Sequence, residues 1–141
     1  MKKVTSAVSM RTMVALTVLG LIGFSACTES FEERCRREAR EYNEKQCPRR
    51  LDDLVTIDSM AYIEQPQGFA YYYTVDYDST ETELFTDSLK ELFIEQLHQN
   101  VRNDIKMKTY KEKGFTFSYT YFSRATGDVL MQAAFGPEDY R

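Results

Sequence analysis

His98 is the chain's only histidine, so a Ser-His-Asp or Cys-His mechanism would have to use it, and a histidine metal site would have a single such ligand. It stands one step from Leu97, at the edge of an apolar helical stripe, where a boundary residue is expected rather than a catalytic one. Carboxylates are the other candidates. Asp52, Asp53 and Asp58 are the residue type that glycosidases and calcium sites use, but they lack the alternating spacing and central glycine of a calcium loop. Asp76, Asp78, Glu81 and Glu83 form a second acidic group, read as solvated acids. No Gly-rich phosphate loop, Cys-x-x-Cys pair or nucleophile elbow occurs. The pattern therefore predicts no catalytic residue, metal ligand or cofactor. The catalytic alternative is a carboxylate-dependent hydrolase of cell-envelope polymers, which needs two of Asp52, Asp58, Asp76 and Asp78 to meet in one pocket.

Three cysteines carry the remaining chemistry. Lys2, Lys3 and Arg11 precede an apolar run from Met13 to Phe24, which closes on Ser25-Ala26-Cys27. The run is well short of the ~20 residues that span a bilayer, and it ends in small side chains. Ser25-Ala26-Cys27 resembles the end of a bacterial lipoprotein signal, Leu-[Ala/Ser]-[Gly/Ala]-Cys, with Phe24 where Leu is commonest. That resemblance implies cleavage between Ala26 and Cys27 and a lipid on Cys27. Residues 1–26 are then the signal peptide, 27–30 a tether and 31–141 a single domain, held to the bacterial envelope on its periplasmic face or at the cell surface. Cys35 and Cys47 remain, in an oxidising compartment. A disulfide between them competes with a helix. Continuous helix would separate their Cα atoms by ~18 Å, where a disulfide tolerates about 7 Å. The helix is preferred, with Cys35 as a small buried hydrophobe.

Those elements are legible in the patterning. Phe31, Cys35, Ala39, Tyr42 and Gln46 make one stripe of a helix over 31–46, capped at Thr28 or at Ser30, where Glu33 completes a capping box, with Pro48 beyond its end. A strand is expected near Val55–Glu64, then a turn at Gln65-Pro66-Gln67-Gly68. Phe69, Tyr71, Tyr73, Val75 and Tyr77 alternate along a second strand, which puts Tyr72 on the opposite face as a candidate ligand contact. A second helix presents Phe85, Leu89, Leu92, Phe93, Leu97 and Val101, capped at Thr80 or at Thr86. A short piece containing Ile105, Met107 and Tyr110 stops at Gly114. Two further strands follow: Phe115, Phe117, Tyr119 and Tyr121 alternate, then Val129, Met131, Ala133 and Phe135. The order helix, hairpin, helix, hairpin predicts an α+β domain with a four-stranded antiparallel sheet covered by helices on one face.

The run Gly114 to Phe122, with Thr126-Gly127-Asp128 and Gly136-Pro137, resembles a group of small exported bacterial domains and lipoproteins of unknown function. That resemblance implies a fold and an address, and no activity. Charge narrows the partners. Residues 1–26 hold three of the 18 basic residues and none of the 22 acidic ones, so the remainder carries −7. An acidic domain is a poor ligand for nucleic acid. The expected partners are the membrane, through the Cys27 lipid, and an envelope protein, peptide or glycan. The expected role is a non-catalytic binding module.

Overall fold

The computed structural model describes residues 28–76 and 86–141. The leader, Cys27, Tyr77, Asp78, Thr80, Glu81, Glu83 and Phe85 lie outside the described residues. Helix α1 spans Phe31–Gln46. Its cap is reciprocal: Glu33 N–H donates to Ser30 Oγ at 3.1 Å, and Ser30 N–H donates to Glu33 Oε2 at 2.9 Å. Two of the first turn's orphan donors are satisfied in this way. The helix ends at Cys47, one residue before Pro48. Cys35 and Cys47 are both free thiols, the first wholly buried within α1 and the second half-buried at its end. Burial pushes both thiols above their ordinary range, so neither is an activated nucleophile.

Five strands follow: β1 (Arg49–Arg50), β2 (Val55–Glu64), β3 (Gln67–Val75), β4 (Thr116–Ser123) and β5 (Val129–Phe135), lying side by side in chain order. The expected antiparallel four-stranded sheet is corrected in two respects. Arg49–Arg50 adds a short edge strand, which pairs with Thr56–Ile57. More consequentially, β3 and β4 run parallel, from Gly68 beside Thr116 to Val75 beside Ser123, so the sheet is mixed. A hairpin pair would need no such crossover. Here the connection containing α2 (Asp87–Asn103), a 3-10 turn (Ile105–Met107) and α3 (Lys108–Glu112) returns the chain to the end where β3 began. Aromatic side chains give the parallel register its reward. Tyr71 stacks on Tyr119 at 5.3 Å between ring centres, and Tyr73 on Tyr121 at 4.5 Å. Gly114, at φ +75, ends the α3 segment in the left-handed region where a β-carbon is disfavoured.

Each α-helix among the described residues has a contact to the sheet face that carries these tyrosines or to its end. Phe31 of α1 meets Phe115 edge-on, Phe93 of α2 meets Tyr121, Tyr110 of α3 meets Phe69, and Tyr140 of α4 (Pro137–Tyr140) meets Phe117. Phe115 and Phe117 are fully buried at the centre of this packing. Helix α2 buries only part of the stripe its pattern suggested. Leu97 and Val101 are buried, whereas Leu89, Leu92 and Phe93 are exposed. Full burial is confined to its C-terminal half, with Phe93 and Ile94 reaching the core from further up, so a stripe drawn along its whole length overstates its burial. Helix α1 also finishes an unpaired stretch of β2. Met60 N–H donates to Asn43 Oδ1 at 2.7 Å, and Asn43 Nδ2 donates to the Met60 carbonyl at 2.9 Å. A side-chain amide thus takes the place of a neighbouring strand beyond the end of β1, where buried backbone groups would otherwise lack partners.

Candidate functional site

Helix α1 rests on β2, and α2 rests on β5 and α4. Between those flanks the tyrosine-bearing face of β3 and β4 forms the floor of a cleft of about 430 Å³. One wall is Glu38 and Tyr42 of α1; the other is Asp104, Lys106, Met107 and Tyr110. Tyr71, Tyr73 and Tyr119 make the floor, with Met60, Phe69 and Phe117 beside them.

Local chemistry fixes both walls. Asp104 caps α2 and accepts the Lys106 N–H on Oδ1 at 2.7 Å, which starts the 3-10 turn. Lys111 Nζ donates to the carbonyls of Val101 and Arg102, both at 2.9 Å, satisfying acceptors left open at the end of α2. Tyr110 O–H donates to Glu38 Oε2 and so joins the two walls. Burial, and then the Glu38 hydrogen bond, raises the Tyr110 phenol well above its usual range.

The floor is held neutral. Burial first, then neighbouring phenols, raises Tyr73; burial, phenols and the Asp104 charge raise Tyr119; Tyr121, beside them, is pushed up to about 12 by burial. Their rings stack on one another, so the faces are covered. Tyr73 and Tyr119 are 9% and 7% exposed, and neither hydroxyl has a hydrogen-bond partner among the described residues. A buried hydroxyl without a partner is uncommon enough to need an explanation.

The residues singled out by sequence go elsewhere. Asp52 accepts the N–H groups of Leu54 and Val55, both at 2.7 Å, and those bonds hold its carboxyl below the usual range. Asp58 accepts from the Thr74 hydroxyl. Asp76 sits between Arg50, at 3.3 Å, and Arg124. None of the three lines the cleft, and Asp78 lies outside the described residues, so the pocket required of the hydrolase reading is not formed by Asp52, Asp58 and Asp76. Among the described residues no group of three His, Cys, Asp or Glu side chains is placed to hold a metal. His98 bonds through Nε2 to the Asp139 carbonyl at 2.6 Å and stacks on Phe135, which fastens α4 to α2. A carbonyl only accepts, so Nε2 carries the proton. Tyr72 stacks on Phe122 across the opposite face of the sheet.

Sequence reasoning placed Met107 and Tyr110 only in a short helical piece and singled out none of Glu38, Asp104 or Lys106. Their meeting depends on the parallel crossover.

Residues 30–131 match a domain of unknown function (DUF8479), and the chain belongs to that family. No curated protein matches it. Two solved structures share the fold. A Pseudomonas aeruginosa protein assigned as secreted aligns with a TM-score of 0.64 at 14% identity, over 79% of this chain and 98% of its own. EpsS, the pilotin of the Vibrio vulnificus type 2 secretion system, aligns with a TM-score of 0.58 at 9% identity, over 78% of this chain and 91% of its own. Among the described residues no helix is long and apolar enough to cross a membrane.

Proposed function

We propose that this chain is an envelope lipoprotein whose domain binds a protein partner in the cleft between α1 and Asp104–Tyr110, without catalysing a reaction. The cleft itself is the observation that carries the reading. It sets the apolar side chains of Met60, Phe69, Met107 and Phe117 beside a few charged groups and phenols, a make-up that suits a binding site. A pilotin with the same fold belongs to a secretion system, which favours an envelope protein as partner over a glycan. The stacked rings add to that preference, since sugars pack on open aromatic faces and these faces are covered. A partner segment laid in the cleft would meet hydroxyls and methionine side chains instead.

In the same reading residues 1–26 are removed, Cys27 carries the lipid, and residues 31–141 are the exported domain. The tether suits a short anchor. Glu29 takes a paired bond from Arg37, at 2.8 and 3.0 Å, which pins the tether to the start of α1. Only Thr28 then separates the pinned residue from the lipidated one, so the domain would sit close to the membrane.

Two measurements address the two halves of the proposal. Cys27→Ser is expected to move the protein from the membrane fraction to the soluble or unprocessed pool; unchanged fractionation would refute the anchor. For the cleft, cross-linked pull-downs from envelope extracts should recover a protein with the wild type and with Gln132→Arg, on the exposed side of β5. Met107→Arg, in the cleft wall, should reduce that recovery at least fivefold while the melting curve stays cooperative. Equal recovery by all three would place the partner elsewhere.

A further inference from the structure

We propose that the cleft contains a subsite for a cation on an apolar stem, a lysine or arginine side chain of the partner, held by Asp104 and Glu38 above the hydroxyls of Tyr73 and Tyr119. This rests on the cleft being the binding surface and adds what it selects. Both acids line the cleft, Glu38 from α1 and Asp104 from the turn after α2. Asp104 uses Oδ1 to cap the Lys106 amide and is in no ion pair among the described residues. Glu38 gives one oxygen to Tyr110, while Arg34 lies 3.7 Å from the other with 44% of its side chain exposed. Lys106 is the one basic side chain of the lining, so the acids outnumber it.

The floor supplies the independent observation. Tyr73 and Tyr119 are more than nine-tenths buried, border the cleft, and have no hydrogen-bond partner among the described residues. A neutral phenol oxygen accepts from N–H donors, and ammonium and guanidinium groups offer donors only. Met60, Met107 and Phe117 give the stem an apolar lining, the arrangement in which long basic side chains bury their methylenes and keep the charged head among polar groups. An anionic ligand would instead meet two carboxylates.

Three probes with one body separate the charge from the body: 4-phenylbutylamine, 4-phenylbutanol and 4-phenylbutanoate, titrated into the full protein in lipid nanodiscs. Backbone amide shifts of Tyr71, Tyr119 and Lys106 report the site. The amine should bind at least tenfold more tightly than the alcohol, and the carboxylate should shift none of the three. Asp104→Asn, which keeps an oxygen for the Lys106 cap, should erase most of that preference, and Glu38→Gln should reduce it. Equal binding of amine and alcohol at these amides would overturn the cation subsite and leave the cleft as a binding surface. Amine binding indifferent to Asp104→Asn would also overturn it. If no probe shifts these amides, the subsite is refuted, and the partner reading still stands or falls on the Met107→Arg pull-down.

Discussion

Gly68→Ala is expected to cost at least about 3 kcal/mol, a large share of the 5–15 kcal/mol by which domains of this size are stable. Gly68 lies between two strands, facing Ile63 of β2 and Thr116 of β4. A β-carbon there would stand 1.9 Å from the Thr116 carbonyl oxygen and 2.8 Å from its carbon. Both are backbone atoms, so no side chain can turn aside. The first step of the parallel β3–β4 ladder must open, and Phe69, next along β3, must shift against Phe115, from which its ring centre is 5.5 Å. Urea unfolding measures the loss. A change below about 1 kcal/mol would show that this end of the ladder separates without cost.

The second large effect is alkaline. Tyr73, Tyr119 and Tyr121 are buried, and burial raises all three phenols, Tyr121 to about 12. The unfolded phenol titrates near 10. Below that value both states keep their protons, so the stabilisation is complete and insensitive to pH. As pH rises from about 10 through the folded values, the unfolded chain ionises first and stability is lost. At pH 11 each of these tyrosines should cost about 1.4 kcal/mol, or about 4 kcal/mol for the three together. Denaturant midpoints at pH 8, 10 and 11, read beside phenolate absorbance, test this. Ordinary titration near 10 with the native circular dichroism intact would contradict it.

Local structure was legible wherever it depends on neighbours in sequence. Ser30 and Glu33 specify the start of α1 because a capping box is completed within one turn. Val55–Glu64 is a strand as expected, and the alternation of Phe117, Tyr119 and Tyr121 identified the buried face of β4. Pairing was not legible. Two hairpins joined by a helix can lie antiparallel or parallel with the same alternation, because each choice buries the same side chains. The direction of β4 against β3 became visible only with the stacked pairs Tyr71–Tyr119 and Tyr73–Tyr121 in place. Helix α2 was misread for a related reason: periodicity shows which residues could face a core, not how far along the helix the core extends.

The sequence by itself determined the longer helices and strands, the capping box of α1, the acidic charge of the domain and the lipoprotein pattern ending at Cys27, all of which follow from residue types a few positions apart. Tertiary structure decided the mixed sheet and the cleft. Glu38 and Asp104 are 66 positions apart, and the parallel crossover alone brings their side chains to facing walls above the tyrosine floor. Such a site has no local spacing, so no motif could announce it.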